Sequence, residues 1–286
     1  MSEQGDRRGG EASAAGEDAV EQRANQRRTR NGDVSVELAG PVLTVTFDRP
    51  DQHNALTFDM YDALHQACER ADADDDVRVL VVRGSGGRAF AAGTDISAFR
   101  EFRDGGDGVA YEERISRVVN RLESVTVPSV AAVEGYCLGG GLALAAVCDL
   151  RVATRSSRFG VPIARTLGNC LSMNSVSVVA AHLGTSRTLD MLLRARLLGA
   201  EDAAAAGFVA EVCDDGALDE TLQGVVDTLL RHAPITMWAS KAALARLRRE
   251  ALPDGDDLVS AAFGSDDFHR AVAGFGSGRP VEWRGR

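Results

Sequence analysis

Residues 77–82 read Val-Arg-Val-Leu-Val-Val and residues 130–133 read Val-Ala-Ala-Val. Such nearly continuous apolar, β-branched runs do not alternate at period two. They belong in strands covered on both faces, the usual condition of a parallel sheet. Each run is followed by a glycine-rich turn, at 84–87 and at 139–141. Helical patterns lie between and after them, at 111–122 and 139–148. A third strand pattern returns at 150–153. Strands that alternate with helices in this way predict an α/β fold.

A hairpin precedes this core. Residues 34–38 and 42–47 each alternate at period two around Ala39-Gly40. Residues 57–71 predict a helix capped by Thr57, with Met60, Leu64 and Cys68 on one face. From Ser172 onward the pattern is helical apart from a short strand expected at 208–212. Residues 1–33 hold almost no large apolar side chain. They cannot offset the entropy of ordering and are expected to form a disordered tail. The expected organisation is therefore a tail at 1–33, a core domain at 34–215 and a helical region at 216–286.

Composition removes several classes of function. Thirty-two basic and 42 acidic side chains give a net charge of −10, the wrong sign for a non-specific nucleic-acid binder. No run reaches the roughly 20 apolar residues of a membrane span, and the start carries no apolar leader core. Cys68, Cys137, Cys148, Cys170 and Cys213 are scattered and show no metal-binding or disulfide spacing. A reduced, cytoplasmic protein without a metal is the expectation.

Two segments share one layout of buried strand, small-residue loop and helix. The first is Ala89-Phe-Ala-Ala-Gly-Thr-Asp-Ile96. The second is Val133-Glu-Gly-Tyr-Cys-Leu-Gly-Gly-Gly-Leu142. Glycine lets a ligand approach bare backbone, and the first N–H groups of a helix have no intrahelical partner. Two such donors aimed at one carbonyl oxygen would stabilise an enolate or a tetrahedral oxyanion. The alternative is that Gly139 to Gly141 simply allow the helix to pack closely. The pattern is neither a phosphate loop nor Gly-x-Gly-x-x-Gly.

At these residues the chain resembles the crotonase family, also called the enoyl-CoA hydratase/isomerase family. Arg49-Pro-Asp-Gln-His-Asn-Ala-Leu56 is similar to its Arg-Pro-x-x-x-Asn-Ala-Leu. Phe90-Ala-Ala-Gly-Thr-Asp-Ile96 is similar to its Phe-x-Ala-Gly-x-Asp-Leu/Ile. Glu134-Gly-Tyr-Cys-Leu-Gly-Gly-Gly141 is similar to its x-Gly-x-x-x-Gly-Gly-Gly. Leu198-Gly-Ala-Glu-Asp-Ala-Ala-Ala-Ala-Gly-Phe-Val209 and the end from Ser265 to Phe275 follow in family order. The resemblance implies a crotonase-like spiral of ββα units whose helical C-terminal region forms homotrimers, often paired into hexamers. It implies an acyl-CoA thioester as substrate, no separate cofactor, and lyase or isomerase chemistry of fatty-acid metabolism.

The same resemblance implies roles for particular residues. The backbone N–H groups of Thr94 and Gly140 would form the oxyanion hole. Arg49, His53, Ala55, Leu56, Ala92, Asp95 and Ile96 would line the CoA path. Lys241 is the one lysine among the 32 basic residues. It falls where the family often places a lysine near the CoA phosphates, or it lies on a solvated helix face. Phe263 would pack on the adenine of a neighbouring subunit or serve as a buried trimer contact. Phe99, Phe102 and Tyr111 would border the acyl pocket.

The hydratase pattern breaks at two places. The family's first catalytic glutamate lies three residues after the second glycine of the triplet, and here that position is Ala143. Its second follows Phe-Gly-x-Pro. Here Phe159-Gly-Val-Pro162 precedes Ile163, or Ala164 if aligned from Gly168, because the loop is one residue longer. Proton transfer to and from substrate needs a titratable group, and none of these residues supplies one. Arg165, Asn169 and Cys170 fall in the lengthened loop, where Arg165 could bind a substrate carboxylate or be a surface residue. Glu134 and Asp95 have ordinary structural roles open to them, at a strand end and a helix N-cap. Three readings follow. The first is an acyl-CoA enzyme with an oxyanion hole and weak hydratase turnover. The second is other enolate chemistry, namely decarboxylation, isomerisation or C–C cleavage. The third is a non-catalytic acyl-CoA-binding subunit.

Overall fold

The computed structural model describes residues 28–250, 252–277 and 281–285. Most of the expected tail, residues 1–27, lies outside the described residues. Its last part does not behave as a tail: β1 (Arg28–Asn31) pairs antiparallel with β2 (Val34–Ala39), extending the hairpin that β2 makes with β3 (Val42–Phe47).

From β3 onward the sheet turns parallel. β4 (Val79–Gly84), β6 (Ser129–Val133), β8 (Leu150–Thr154) and β11 (Glu211–Cys213) add in that order. Among the described residues this sheet has seven strands. The unbroken apolar runs now have a physical reason. Leu80, Val82, Ala131 and Val133 face the main core. Val79, Val81, Val130 and Ala132 face a second core closed by Leu218, Leu222, Val225 and Val226 of the Leu218–Leu230 helix. All eight strand positions are essentially inaccessible. Burying each valine or leucine contributes about 1.5–3 kcal/mol, so the sheet is held from both sides.

Each of β4, β6 and β8 is followed by a three-residue strand. These are β5 (Ala89–Ala91), β7 (Tyr136–Leu138) and β9 (Arg158–Gly160). They pair in parallel with one another, and β10 (Leu198–Gly199) closes that second sheet antiparallel. A helix follows β7 at Gly140–Val147 and β9 at Ile163–Thr166, so the chain repeats strand, short strand, helix as it spirals. The strand expected at 208–212 lies three residues later, at Glu211–Cys213. Phe208 and Val209 are spent on the core instead, with Phe208 edge-on to Phe159.

The helix predicted from residue 57 runs Phe58–Ala73. The Thr57 hydroxyl accepts the Met60 N–H, and Met60, Leu64 and Cys68 are buried as expected. Gly105–Glu123 packs against it and against Gly140–Val147. Phe263 and Phe268 come from Asp256–Phe263 and Asp266–Gly274 and enter the same core. The intervening helix, Pro234–Arg249, buries none of its residues, and Ile235, Leu244 and Leu247 project into solvent. Among the described residues no helix is long and apolar enough to cross a membrane.

Candidate active site

The first glycine loop is fixed by the segment that precedes the Phe58–Ala73 helix. The Leu56 N–H donates to the Gly93 carbonyl at 2.8 Å, and the Asp95 N–H donates to the Leu56 carbonyl at 2.9 Å. The Ala92 N–H donates to the His53 carbonyl at 3.0 Å. In an extended strand successive peptide groups point to opposite sides. Gly93 C=O and Asp95 N–H point toward Leu56, so the N–H of Thr94 points away from it. That N–H has no acceptor among the described residues.

Arg49, Asn54 and Asp95 hold this arrangement from below. The Arg49 guanidinium donates to the Ala55 carbonyl at 2.7 Å, pairs with Asp95 at 2.9 Å and reaches Asp33 at 3.1 Å. Burial would raise the Asp95 carboxyl. The Ser97 hydroxyl and amide, then Arg49, outweigh that and hold it below the usual carboxylate range. Asn54 is completely buried. It accepts the Arg49 N–H at 2.9 Å and donates to the carbonyls of Ser85 and Ala89. Both His53 and Asn54 lie at positive φ, which turns the chain sharply enough for Ala55 and Leu56 to run beside the loop.

The second loop enters its helix through Gly139, whose φ of 52° and ψ of −120° only glycine adopts readily. The Gly139 N–H is used, donating to the Gly160 carbonyl at 2.9 Å. The N–H of Gly140, the first residue of the helix, has no acceptor among the described residues. The two loops touch: a Cβ on Gly139 would stand 3.5 Å from the Gly93 Cα, and one on Gly141 would overlap the Ala91 carbonyl. At the far end of this helix the buried Arg151 guanidinium donates to the carbonyls of Ala145, Ala146 and Cys148, and it also bonds the Phe208 carbonyl. A cation at the C-terminus complements the helix dipole whose positive end lies at Gly140.

A Cβ on Gly140 would overlap the phenol oxygen of Tyr61. That phenol belongs to a chain of three hydroxyls, two buried phenols with the partly exposed Thr94 between them. Tyr61 Oη lies 2.9 Å from Thr94 Oγ1, which lies 2.7 Å from Tyr111 Oη. Burial raises the pKa of both phenols well above the ordinary value, so they stay neutral. Next to Tyr111 in sequence, Glu112 is 6 % exposed and accepts the Ser172 N–H at 3.0 Å. Burial pushes its carboxyl up to about 7 despite the Ser172 hydroxyl and amide.

Beside the first loop opens a cleft of about 470 Å³. His53, Ala55, Ala92, Asp95 and Ile96 all line it, so the structure brings together five of the residues expected on the CoA path, and Thr94 of the expected oxyanion hole lines it with them. Tyr136, Leu138 and Phe275 join them without having been foreseen. Arg49 and Leu56 sit behind the wall as supports. Three expected residues lie elsewhere. Lys241 donates to Asp149 at 2.6 Å and to the Val127 carbonyl at 2.9 Å, beside a different cleft. Phe263 is fully enclosed within its own chain, 4.9 Å from Phe268 by ring centroids. Arg165 is exposed, and its guanidinium has no partner among the described residues. Asn169 keeps a buried, unbonded carbonyl oxygen, and burial raises the Cys170 thiol to about 11. Ala143 is buried and Ile163 packs on the core.

A profile of the enoyl-CoA hydratase/isomerase family matches residues 37–286. The chain belongs to that family. The 2,3-dehydroadipyl-CoA hydratase of Escherichia coli is 31 % identical over 250 residues, covering 86 % of this chain and 96 % of the relative. The short-chain-enoyl-CoA hydratase of Clostridium acetobutylicum is 28 % identical and covers 87 % and 96 %. Among solved structures, an enoyl-CoA hydratase/carnithine racemase from Magnetospirillum magneticum superposes with a TM-score of 0.76. It is 28 % identical and covers 93 % of this chain and all of its own. The expected family and the expected spiral of ββα units are both found. No cluster of three or more metal-ligating side chains occurs among the described residues.

Tyr61 and Glu112 were missed by sequence reasoning, although one of them left a signal. Glu112 continues the apolar stripe Ile115, Val119 and Leu122 at helical spacing, and an acid on a core stripe is anomalous. Tyr61 carries no such mark, since an aromatic residue at a core position is ordinary.

Proposed function

We propose that this protein acts on an acyl-CoA thioester, holding the thioester oxygen between the N–H groups of Thr94 and Gly140. The observation that supports this most is that both amides lack an acceptor while the loops carrying them are in contact. Polarising the carbonyl at that point lowers the barrier to enolate formation, and each such donor contributes about 3 kcal/mol. The cleft walled by His53, Ala55, Ala92, Asp95 and Ile96 takes the CoA moiety, partly through backbone groups. No separate cofactor is needed, because the thioester is itself the activated group.

The usual two glutamates are replaced here, by Ala143 and by Ile163 or Ala164, so ordinary hydratase turnover is weak. Enolate chemistry that moves a proton without adding water fits the site better. A decarboxylase-like role, with the unpaired Arg165 reading a substrate carboxylate, is the second reading. A subunit that binds acyl-CoA without turning it over is the third. The uncovered helix Pro234–Arg249, with Ile235, Leu244 and Leu247 exposed, supports assembly into a homotrimer or hexamer. Phe263, enclosed within its own chain, has no surface to offer CoA.

Calorimetric titration with crotonyl-CoA, followed by an assay of its hydration, tests the reading. Binding with hydration far below ordinary family rates is expected. Absence of binding to any acyl-CoA contradicts it.

A further inference from the structure

We propose that Glu112 is the acid–base residue of this site. It takes a proton from the α-carbon of the bound thioester and returns it to carbon. The inference rests on the acyl-CoA reading above and adds to it a residue outside both positions where the family pattern places its glutamates.

Three placements carry the argument. Glu112 lies on the inner stripe of the Gly105–Glu123 helix, which packs against both Phe58–Ala73 and Gly140–Val147. The latter helix carries Gly140 at its start and Ala143 one turn on. The Glu112 carboxylate bonds Ser172, the N-cap of the Met173–Leu193 helix, which follows the short helix Ile163–Thr166 and the loop after it. Glu112 therefore sits on a helix packed against the one that bears Ala143, with its carboxylate bonded to the segment that follows Ile163. Its neighbour Tyr111 leads through Thr94 to Tyr61, whose oxygen covers Gly140.

Its surroundings supply few partners for a buried carboxylate. Buried carboxylates in cores are paired with a cation or bonded by several donors. Among the described residues Glu112 takes hydrogen bonds from Ser172 alone. The titratable groups facing it are Tyr61 from one helix, Tyr111 from its own and Cys170 from the loop, and none is cationic. Burial then leaves its carboxyl near 7, where a group is equally able to accept and to donate a proton.

The step balances without another reagent. The α C–H bond breaks and its electron pair forms the enolate C=C, with the negative charge on the oxygen held by the two amides. The proton rests on a Glu112 oxygen until it is delivered to the α-carbon or, in a 3-enoyl chain, to the γ-carbon.

The test incubates the full chain with 3-butenoyl-CoA and 3-octenoyl-CoA in D₂O and follows deuterium in the acyl group by mass spectrometry. Binding is measured in parallel by calorimetry. The native protein is expected to incorporate deuterium, with a rate that rises with pH around 7. Glu112→Gln is expected to bind the thioesters within about threefold of the native affinity yet exchange at least ~100-fold more slowly. Glu112→Asp is expected to fall between them. Native-like exchange in a Glu112→Gln protein that still binds overturns the proposal alone. A native protein that binds without exchanging also overturns it. Loss of all thioester binding in the native protein overturns the acyl-CoA reading and the proposal with it.

Discussion

The phenol oxygen of Tyr61 lies 2.9 Å from the hydroxyl of Thr94 and fills the space a Cβ on Gly140 would take. One side chain therefore contacts both loops of the candidate oxyanion hole. Thr94 has its hydroxyl pinned between two neutral phenols, and this fixes the peptide plane on which its N–H depends. Thr94→Val keeps the shape and strands two buried phenols. A loss of about 1–3 kcal/mol in urea unfolding is expected, together with weaker acyl-CoA binding.

Gly140→Ala is expected to destabilise the protein, because the new methyl would overlap the Tyr61 oxygen. In a Tyr61→Phe background the next contacts are Thr94 Oγ1 at 3.3 Å and the Tyr61 ring carbon at 3.5 Å. The double variant should therefore recover part of the loss. A double-mutant cycle on thermal or urea unfolding should give a coupling of about 0.5–3 kcal/mol, and strictly additive losses would contradict the contact.

The fold was legible where burial writes a long pattern and illegible where it does not. β4 and β6 could be read because both faces are covered. β5, β7 and β9 have three residues each, too few for any period, yet they build the second sheet that positions the glycine loops. β1 reads Arg-Thr-Arg-Asn, and as an edge strand its order comes from pairing with β2 rather than from apolar side chains. The glycine loops were legible because bare backbone is required there. Lys241 was not: its pairing with Asp149 joins residues 92 apart in sequence.

Arg151 should matter more for stability than for chemistry. It is 4 % exposed and serves carbonyls at the end of the helix that begins at Gly140. Arg151→Met would leave several of them unbonded. A loss of about 3 kcal/mol is expected, read as a lowered midpoint in urea unfolding.

Glu112 also predicts a pH dependence of stability. Its folded pKa of about 7 lies above the ordinary value of 4.5, so the folded state holds the proton more tightly than the unfolded one. The linked stability is complete below about pH 4.5 and is lost as pH rises through about 7. A tenfold difference in proton affinity corresponds to about 1.4 kcal/mol, so the loss across that window is on the order of 3 kcal/mol. Glu112→Gln should remove it, and unfolding free energies of the two proteins measured from about pH 4 to about pH 8 should diverge in that window.

The central claim is that two backbone amides polarise one thioester oxygen, and carbon-13 NMR of a bound acyl-CoA labelled at the thioester carbon tests it most directly. A downfield shift of the carbonyl resonance on binding is the predicted result. A bound thioester whose resonance stays at its free position would contradict the account.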